Sequence, residues 1–246
     1  MYTLTVRGSL LRINGLKKTI ALAEAHNLRK IPAEFKTFNH IDKNRSHLNW
    51  ELVPIGEGTL TQKVLQIVMD AGIDPNKGAN RRINKGYAIE WIFSTTHGFN
   101  CDFESLYKEC LSWLELRYPT CPIAHAIIHF DEDYPHLHVI MVPTIGNKMP
   151  ASKILGFKGV CRKRNQDLFN IVGHKYGFTS GEYLKGSAKR LASDIAIKAC
   201  ENLVSHEFKE RLLEPLRQAI HSRPEPFLKA LDISTAELRI SEESTQ

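Results

Sequence analysis

Three histidines and an acidic turn share the segment HFDEDYPHLHV, which spans residues 129–139. His136 and His138 are one residue apart, so on a β-strand both imidazoles point to the same face of the sheet. His129 precedes a polar turn that contains Pro135, and a hairpin about this turn returns the chain beside it. Three imidazoles on one face predict a site for a divalent cation, with coordination positions left for water or substrate. Nitrogen ligands favour manganese, cobalt, nickel or zinc over calcium.

The expected register of this hairpin adds a carboxylate to the histidines. A turn centred after Asp133 sets His129 opposite His138 and Asp131 opposite His136, and opposed residues share a face. We expect Asp131 to fix the tautomer of a histidine ligand from the second coordination shell. The competing interpretation is a chance cluster, because the chain contains eleven histidines.

The elements that must position these residues follow from apolar spacing and turn residues. The pattern predicts strands over 1–8, 47–54, 87–96, 122–132 and 136–144, and helices over 16–26, 60–72, 104–118 and 162–177. From residue 186 onward the pattern is helical, with interruptions near Pro215 and at 223–226. Strands and helices intermix without a glycine-rich strand-to-helix turn, which favours an α+β fold with a mainly antiparallel five-stranded sheet flanked by helices. We expect a main domain over 1–195 and a helical C-terminal extension over 196–246.

The bulk composition is that of a globular chain. Its 246 residues are 42% hydrophobic and include no apolar run long enough to span a bilayer. The amino-terminal segment lacks the pattern of a signal peptide. Five cysteines, an odd number without CxxC spacing, argue against a disulfide framework and favour reduced thiols. These features predict a cytoplasmic protein.

Positive charge is concentrated in two segments. The net charge is +6, which alone is a weak indication of a polyanionic partner. Residues 153–164 hold five cations and no acid, and residues 78–86 hold three more. Clustering of this kind suits contacts with a phosphate backbone.

Three segments together resemble the Mob/Pre (MobV-type) plasmid mobilisation and recombination relaxases of the HUH endonuclease superfamily. The segment 44–53 is similar to the family's RSHLNYEL-like segment, with matches at Arg45, Ser46, His47, Leu48 and Asn49. The hairpin matches the family's H-x-D-E-x-x-P-H-x-H pattern, and AHNLR at 25–29 resembles its HNxR segment. YAIEWIFST and ASKIL are similar to two further family segments. The matches follow the family order and cover residues 1 to about 195.

The resemblance implies a nicking fold and a DNA relaxase activity. One DNA strand at a plasmid or mobile-element transfer origin would be cleaved by transesterification, leaving the protein on the 5′-phosphate, and later rejoined. The implied metal ligands are His129, His136 and His138, with Mn²⁺ as the expected ion and Mg²⁺ or another divalent ion as alternatives. The implied catalytic residues are His26 as nucleophile, Glu132 as the acid that assists it, and Arg29 of the HNxR match.

The chain departs from the family pattern at Trp50, where the family has tyrosine. An indole cannot attack phosphorus, so His26 leads as nucleophile and Tyr2, Tyr87 and Tyr134 are the fallback candidates. A neutral imidazole is a competent nucleophile near pH 7. The alternative for His26 is a histidine that interacts with the dipole at the end of a helix.

The expected partner is DNA: the origin of transfer, with its single-stranded nick region and adjacent hairpin, together with a coupling protein as a further candidate. The expected DNA contacts, in addition to the nucleophile, are Arg45, Asn49, Arg81, Arg82, Lys85, Lys153, Arg162, Lys163 and Arg164. Two other functions stay open at this point. One is a three-histidine metal hydrolase of a small molecule, and the other is a non-enzymatic origin-binding repressor.

Overall fold

The computed structural model describes residues 2–14, 18–30, 41–77, 85–180, 186–203, 206–222 and 224–234. The chain divides into two compact units, Met1–Ser180 and Gly181–Gln246. Arg81 and Arg82, two of the expected DNA contacts, lie outside the described residues. The predicted domain boundary after residue 195 falls inside a helix of the second unit, and the extent of the functional domain stays a prediction.

The first unit is built on a five-stranded antiparallel sheet with the strand order β1-β3-β5-β4-β2. The strands are β1 (Leu4–Arg12), β2 (Trp50–Val53), β3 (Gly86–Thr95), β4 (Ile123–His129) and β5 (His136–Met141). The three central strands are apolar on most positions because both faces of the sheet are covered. The prediction of an α+β fold with five antiparallel strands is confirmed.

One face of the sheet carries the larger core. The helices α3 (Phe103–Arg117), α4 (Ala151–Leu155) and α5 (Lys158–Ile171) pack on this face. Trp91, Phe93 and Leu137 are among its fully buried side chains. The open edge of the sheet at β1 is covered by Asn165 of α5, whose amide bonds both the N–H and the carbonyl of Val6.

The opposite face carries the helices α1 (Ile20–Asn27) and α2 (Leu60–Asp70). Each helix begins at a threonine N-cap: Thr19 accepts from the N–H of Leu22, and Thr59 forms a capping box with Gln62. This face is apolar under α2 and becomes polar toward the end of the sheet where β4 stops and β5 starts. The histidines lie at that end.

The hairpin register differs from the predicted one. His129 pairs with His136, and Ile127 pairs with His138. The turn therefore lies one position earlier than expected, and β4 ends at His129 instead of extending to residue 132. The cause is the loop 130–135, whose backbone bonds to segment 41–49 instead of extending the ladder: the N–H of Phe130 donates to Asn49 Oδ1 at 2.8 Å. A shift of two in the pairing keeps every side chain on its face, so the three imidazoles still converge.

The described part of the second unit is helical, as the sequence predicts. It contains α6 (Gly186–Leu203), α7 (His206–Ser222) and α8 (Glu225–Ala230), with Pro215 inside α7. Its core is made of small and aliphatic side chains, including Ala192, Ala196 and Ile220. None of the described helices of either unit combines the length and the apolar character that a membrane crossing needs.

Candidate active site

Four histidines form one cluster at the end of the sheet. His129 is the last residue of β4, His136 is the first of β5, and His138 follows two positions later. Their ring centroids are 4.8 to 5.2 Å apart. His26, in the last turn of α1, has ring centroids 5.2 Å from His129 and 5.3 Å from His138. One ligand atom from each of the four residues lies within 4.8 Å of the others.

The hairpin histidines present defined ring nitrogens to the centre of the cluster. His138 Nδ1 lies 2.9 Å from Glu90 Oε1 on β3, and His136 Nδ1 lies 2.8 Å from the carbonyl of Tyr134. Both partners are acceptors, so each Nδ1 carries the proton and each Nε2 keeps its lone pair for a cation.

His129 is the most enclosed of the four. It is fully buried, and among the described residues neither of its ring nitrogens has a hydrogen-bond partner. Its Nδ1 is 3.6 Å from Glu132 Oε1, which is too long for a hydrogen bond. A buried imidazole without partners is costly unless a ligand satisfies it, and a cation bound by the hairpin histidines would do so.

Burial sets the charge of these imidazoles. Desolvation, with contributions from neighbouring His138 and Arg29, lowers the pKa of His26 to about 4 and that of His136 to about 4. Desolvation also lowers the pKa of His129 to about 3, against the opposing effect of Glu132. Near pH 7 these rings are therefore neutral, the state that metal ligation and nucleophilic attack both require.

Glu132 lies between the imidazoles. Its Oε1 is 3.4 Å from His26 Nε2, and its Oε2 is 3.7 Å from His136 Nε2. Burial alone would raise the pKa of this carboxyl, but the neighbouring His129, His136, His26 and Arg29 hold it well below its usual range. Glu132 is therefore an anion beside the His26 ring.

Arg29 ties the end of α1 to the hairpin loop. Its guanidinium donates to both oxygens of the buried Asp131, to Glu132 Oε1 at 2.9 Å and to the carbonyl of His26 at 3.0 Å. Arg29 follows the helix in the left-handed region, with φ of 56°, which is uncommon for a residue with a side chain. Because its donors are engaged within the protein, Arg29 positions His26 and Glu132 instead of facing the solvent.

Asp131 does not have the role expected from the sequence. Its carboxylate accepts from Arg29 and from Ser46 Oγ at 2.6 Å, and no hydrogen bond to a histidine is found among the described residues. Burial opposes ionisation, yet these donors lower the pKa of Asp131 to about 2. The reason for the difference is the shifted register, which places residue 131 in the loop instead of opposite His136.

The RSHLN segment supports the same loop. Arg45 donates to the carbonyls of Phe130 and Glu132 at 3.0 and 3.2 Å and pairs with Asp42. Asn49 accepts from the backbone of Phe130. These two expected DNA contacts therefore lie at the rim of the histidine cluster, where they also fix the loop that carries Glu132.

The other expected DNA contacts lie elsewhere. Lys153, Arg162 and Lys163 are exposed on α4 and α5, on the face of the sheet opposite to the histidines. Lys85 precedes β3, with its amine 5.8 Å from the ring centroid of Tyr87.

Arg164 is 1% exposed and cannot contact DNA in this fold. It donates to the carbonyls of Ile154 and Leu155 and stacks on Trp91 with its guanidinium carbon 4.6 Å from the ring centroid. Residue 164 lies in α5, and the helical periodicity of this basic segment points the Arg164 side chain into the protein.

The side chains of the fallback tyrosines contact groups outside the histidine cluster. Tyr87 donates its hydroxyl to the carbonyl of Pro75 at 3.2 Å. The Tyr134 ring packs edge-on against His97 with centroids 4.3 Å apart. The Tyr2 ring lies against Phe99.

Sequence reasoning did not identify Glu90 as a site residue. A signal was present, because Glu90 is the one acid in the apolar strand segment YAIEWIF. Its partner on β5 is Ile140, two positions from His138 and on the same face. What the sequence lacks is the strand order that makes β3 and β5 neighbours.

The chain is similar to known proteins in sequence and in fold. The family described as plasmid recombination enzyme (Mob_Pre) matches residues 10–190. A plasmid recombination enzyme of Streptococcus agalactiae is 28% identical over 193 residues, covering 73% of this chain and 37% of the relative. One from a Bacillus species is 28% identical over 199 residues, covering 77% and 42%. The chain therefore spans well under half the length of these relatives.

Solved structures of the MobM relaxase domain (MOBV; Mob_Pre), bound to plasmid pMV158 oriT DNA, have a similar fold. A Mn-bound form at pH 6.8 has a TM-score of 0.56 at 24% identity, covering 77% of this chain and 98% of that domain. A Mn-bound form at pH 4.6 has a TM-score of 0.54 at 22% identity, covering 75% and 95%. Since the family match extends over most of the chain and includes every described residue of the histidine cluster, the chain belongs to the plasmid recombination enzyme (Mob_Pre) family.

Proposed function

We propose that this chain is a DNA relaxase that nicks and rejoins one strand at the transfer origin of a plasmid or mobile element in a metal-dependent reaction. The observation that carries the proposal is the placement of His26 and Glu132 against three further imidazoles in one buried cluster. Family membership and the similarity in fold to a relaxase domain bound to oriT DNA support it.

The hairpin histidines would hold the cation. The fit is supported by the ring nitrogens of His129, which have no hydrogen-bond partner in the part of the chain that the structure describes, and by the Nε2 lone pairs of His136 and His138. We propose Mn²⁺, which the similar MobM domain contains, with Mg²⁺ and other divalent ions as alternatives. A bound cation would neutralise charge on the non-bridging oxygens of the scissile phosphate.

His26 is the proposed nucleophile. The lone pair of a neutral ring nitrogen attacks phosphorus, a P–N bond forms, and the P–O3′ bond breaks. The 3′ oxygen leaves and takes up a proton from solvent water, the His26 ring gives up its own proton to Glu132, and the 5′-phosphate stays on the protein as a phosphoramidate. Attack by the freed 3′-OH reverses these steps and rejoins the strand.

Glu132 and Arg29 serve this step from the protein side. The ionised Glu132 stabilises the positive charge that develops on the His26 ring and can accept its proton. Arg29 holds the backbone of His26 and the carboxylates of Asp131 and Glu132 in one network. The ring is therefore oriented before substrate binds.

The proposed DNA path begins at the rim formed by Arg45 and Asn49. Lys85, Arg81 and Arg82 are proposed as further phosphate contacts of the basic segment 78–86. A coupling protein stays a prediction from the family resemblance.

The decisive experiment uses a supercoiled plasmid that carries the cognate origin, with Mn²⁺. We expect relaxed product with protein attached at the 5′ end of the nicked strand. His26→Ala should abolish the adduct while origin binding and Mn²⁺ binding persist. His47→Ala, which changes an exposed histidine of the RSHLN segment, is the matched control and should keep adduct formation.

Other results would point to the competing functions. A His26→Ala protein that still hydrolyses phosphate esters with Mn²⁺ would indicate a metal hydrolase. Wild-type protein that binds the origin but yields no adduct would indicate a repressor.

A further inference from the structure

A small aromatic and basic surface stands at the junction of α4 and α5. Phe157 is 88% exposed at the start of α5, and Val160 follows one turn later at 40% exposed. Four exposed cations surround them in sequence: Lys153, Lys158, Arg162 and Lys163. These six residues are here called the α4–α5 surface.

The cations of this surface are not neutralised within the protein. None of the four makes an ion pair with a described residue. Asp167, the one acid of α5, is bound instead to Arg117 at 2.7 Å and to the indole N–H of Trp113 at 3.1 Å. The α4–α5 surface is therefore positively charged, and no acidic side chain of α4 or α5 neutralises its four cations.

The junction that presents Phe157 is rigidly held. The buried Arg164 donates to the carbonyls of Ile154 and Leu155 at 2.6 and 3.0 Å, so the end of α4 is fixed to α5. Gly156 has φ of 68°, and a Cβ there would lie 2.6 Å from Val160 Cβ. An exposed ring on a fixed backbone loses little conformational freedom when it binds.

This surface is separate from the histidine cluster. α4 and α5 cover the face of the sheet opposite to the histidines. Leu155 approaches Gly8, which pairs with Trp91, and Trp91 pairs with Val139. Val139 is three residues along β5 from His136, a distance of about 10 Å. The α4–α5 surface is separated from the sheet by roughly another 10 Å, the thickness of the layer of helices.

We propose that the α4–α5 surface binds an unpaired nucleic-acid strand, with Phe157 stacking on a base and the four cations contacting phosphates. An isolated aromatic ring between unpaired cations fits a strand in which bases and charges alternate. Its apolar part, Phe157 and Val160, is too small for a protein-docking face. That the strand is origin DNA outside the nick site rests on the proposed relaxase function.

The test measures binding of a mixed-sequence single-stranded DNA 40-mer by fluorescence anisotropy at several salt concentrations. We expect Phe157→Leu, which keeps apolar bulk without a π-face, to weaken binding about five-fold or more. Phe157→Trp should retain binding. Lys158→Ala/Lys163→Ala should reduce the slope of log K against log salt by about 1.4. The matched control Lys198→Ala/Lys229→Ala removes two exposed lysines of the helical unit and should reduce it less.

Two results would overturn the proposal: Phe157→Leu binding like wild type, or equal slopes for the two lysine pairs. Binding to phosphatidylserine vesicles that is lost in Phe157→Leu, with DNA binding unchanged, would assign the surface to membranes instead. Plasmid relaxation by wild-type protein is measured in parallel. If the protein relaxes plasmid but fails these comparisons, the proposal for the α4–α5 surface is wrong and the proposed relaxase function stands. If it does not relax plasmid, the relaxase function is contradicted, and the binding comparisons still decide whether this surface binds single-stranded DNA.

Discussion

The tautomers of His136 and His138 are each set by a single acceptor outside the cluster. Glu90 accepts a hydrogen bond from Nδ1–H of His138, and the backbone carbonyl of Tyr134 accepts one from Nδ1–H of His136. An acceptor of this kind orients the ring and raises the basicity of the nitrogen that faces the cation. We therefore expect the cation affinity of the proposed site to depend also on residues that contact neither the cation nor DNA.

Removing the carboxylate behind His138 should weaken metal binding. Glu90→Ala is expected to lower Mn²⁺ affinity about 10- to 100-fold, because His138 loses the partner that fixes its tautomer. Isothermal titration with Mn²⁺ measures this. Glu90→Gln, whose amide oxygen can still accept from Nδ1, should recover part of the affinity. Glu51→Ala on β2 is the control, and an equal loss there would argue against a specific role for Glu90.

The lowered pKa values predict how the metal-free protein responds to acid. In the folded state His26, His129 and His136 have pKa values of about 4, 3 and 4, whereas unfolded histidine titrates near 6.5. Between pH 6.5 and 4 the unfolded chain binds protons that the folded chain does not. Stability should therefore fall with decreasing pH in this window, by about 1.4 kcal/mol per pH unit for each such proton.

Urea unfolding of metal-free protein at pH 7, 6 and 5 tests this expectation. His136→Gln should reduce the pH slope by about one proton, while His47→Gln should leave it unchanged. Stability that is constant over the window would contradict the assignment of neutral, buried imidazoles.

The buried Asp131 carboxylate should make Arg29 important for stability, apart from its proposed role in positioning His26. Arg29→Met leaves a fully buried anion without its bidentate partner, and we expect a loss of about 3–5 kcal/mol in the free energy of unfolding. The double variant Arg29→Met/Asp131→Asn should recover much of this loss because the buried charge is gone. A double-mutant cycle by urea unfolding gives the coupling free energy between Arg29 and Asp131. Effects of the two substitutions that simply add would contradict this coupling.

At the level of elements, α1 is anchored to α2 near His26, the proposed nucleophile. Glu24 of α1 accepts from the backbone N–H of Leu60, the first residue of α2, at 2.8 Å. The helix that bears His26 is only eight residues long, too short to be stable by itself. Its position thus depends on tertiary contacts such as this one.

Loss of the Glu24 contact should loosen α1. We expect Glu24→Ala to reduce stability by about 1 kcal/mol, the usual effect of removing a cap, and to slow nicking because His26 is less well placed. Glu24→Gln, which keeps an acceptor oxygen, should be milder. The exposed Glu57→Ala is the control in urea unfolding and plasmid relaxation, and a Glu24→Ala protein that behaves like it would show that α1 is held by other contacts.

At the level of the whole molecule, every described residue of the histidine cluster and its hydrogen-bond network lies in the unit Met1–Ser180. Both large cores of the sheet lie there as well, while α6 to α8 have a core of their own. Separate cores are the mark of units that can fold independently.

A chain that ends at residue 185 should therefore fold and bind Mn²⁺ like the full chain. We expect a single cooperative thermal transition and an unchanged Mn²⁺ affinity, measured by circular dichroism and calorimetry. The matched comparison is the full chain under the same conditions. A truncated chain without a cooperative transition would mean that the helical unit is needed for folding.

The amino-acid sequence determined the parts that depend on local pattern. Alternation along 136–138 placed two imidazoles on one face, and that conclusion survived the wrong hairpin register because a shift of two residues preserves side-chain faces. Apolar spacing predicted five strands and the antiparallel α+β class. The HNxR, RSHLN and hairpin segments led to the family that the comparison confirms.

Tertiary structure alone decided which distant residues meet. Glu90 became a partner of His138 only through the strand order, and Arg29 reached Asp131 across 102 positions in sequence. Helical periodicity turned Arg164 into the core while its neighbours Arg162 and Lys163 stayed exposed. Local sequence encodes which face a side chain occupies, but contacts between separate elements depend on how the whole core packs, and no short segment contains that information.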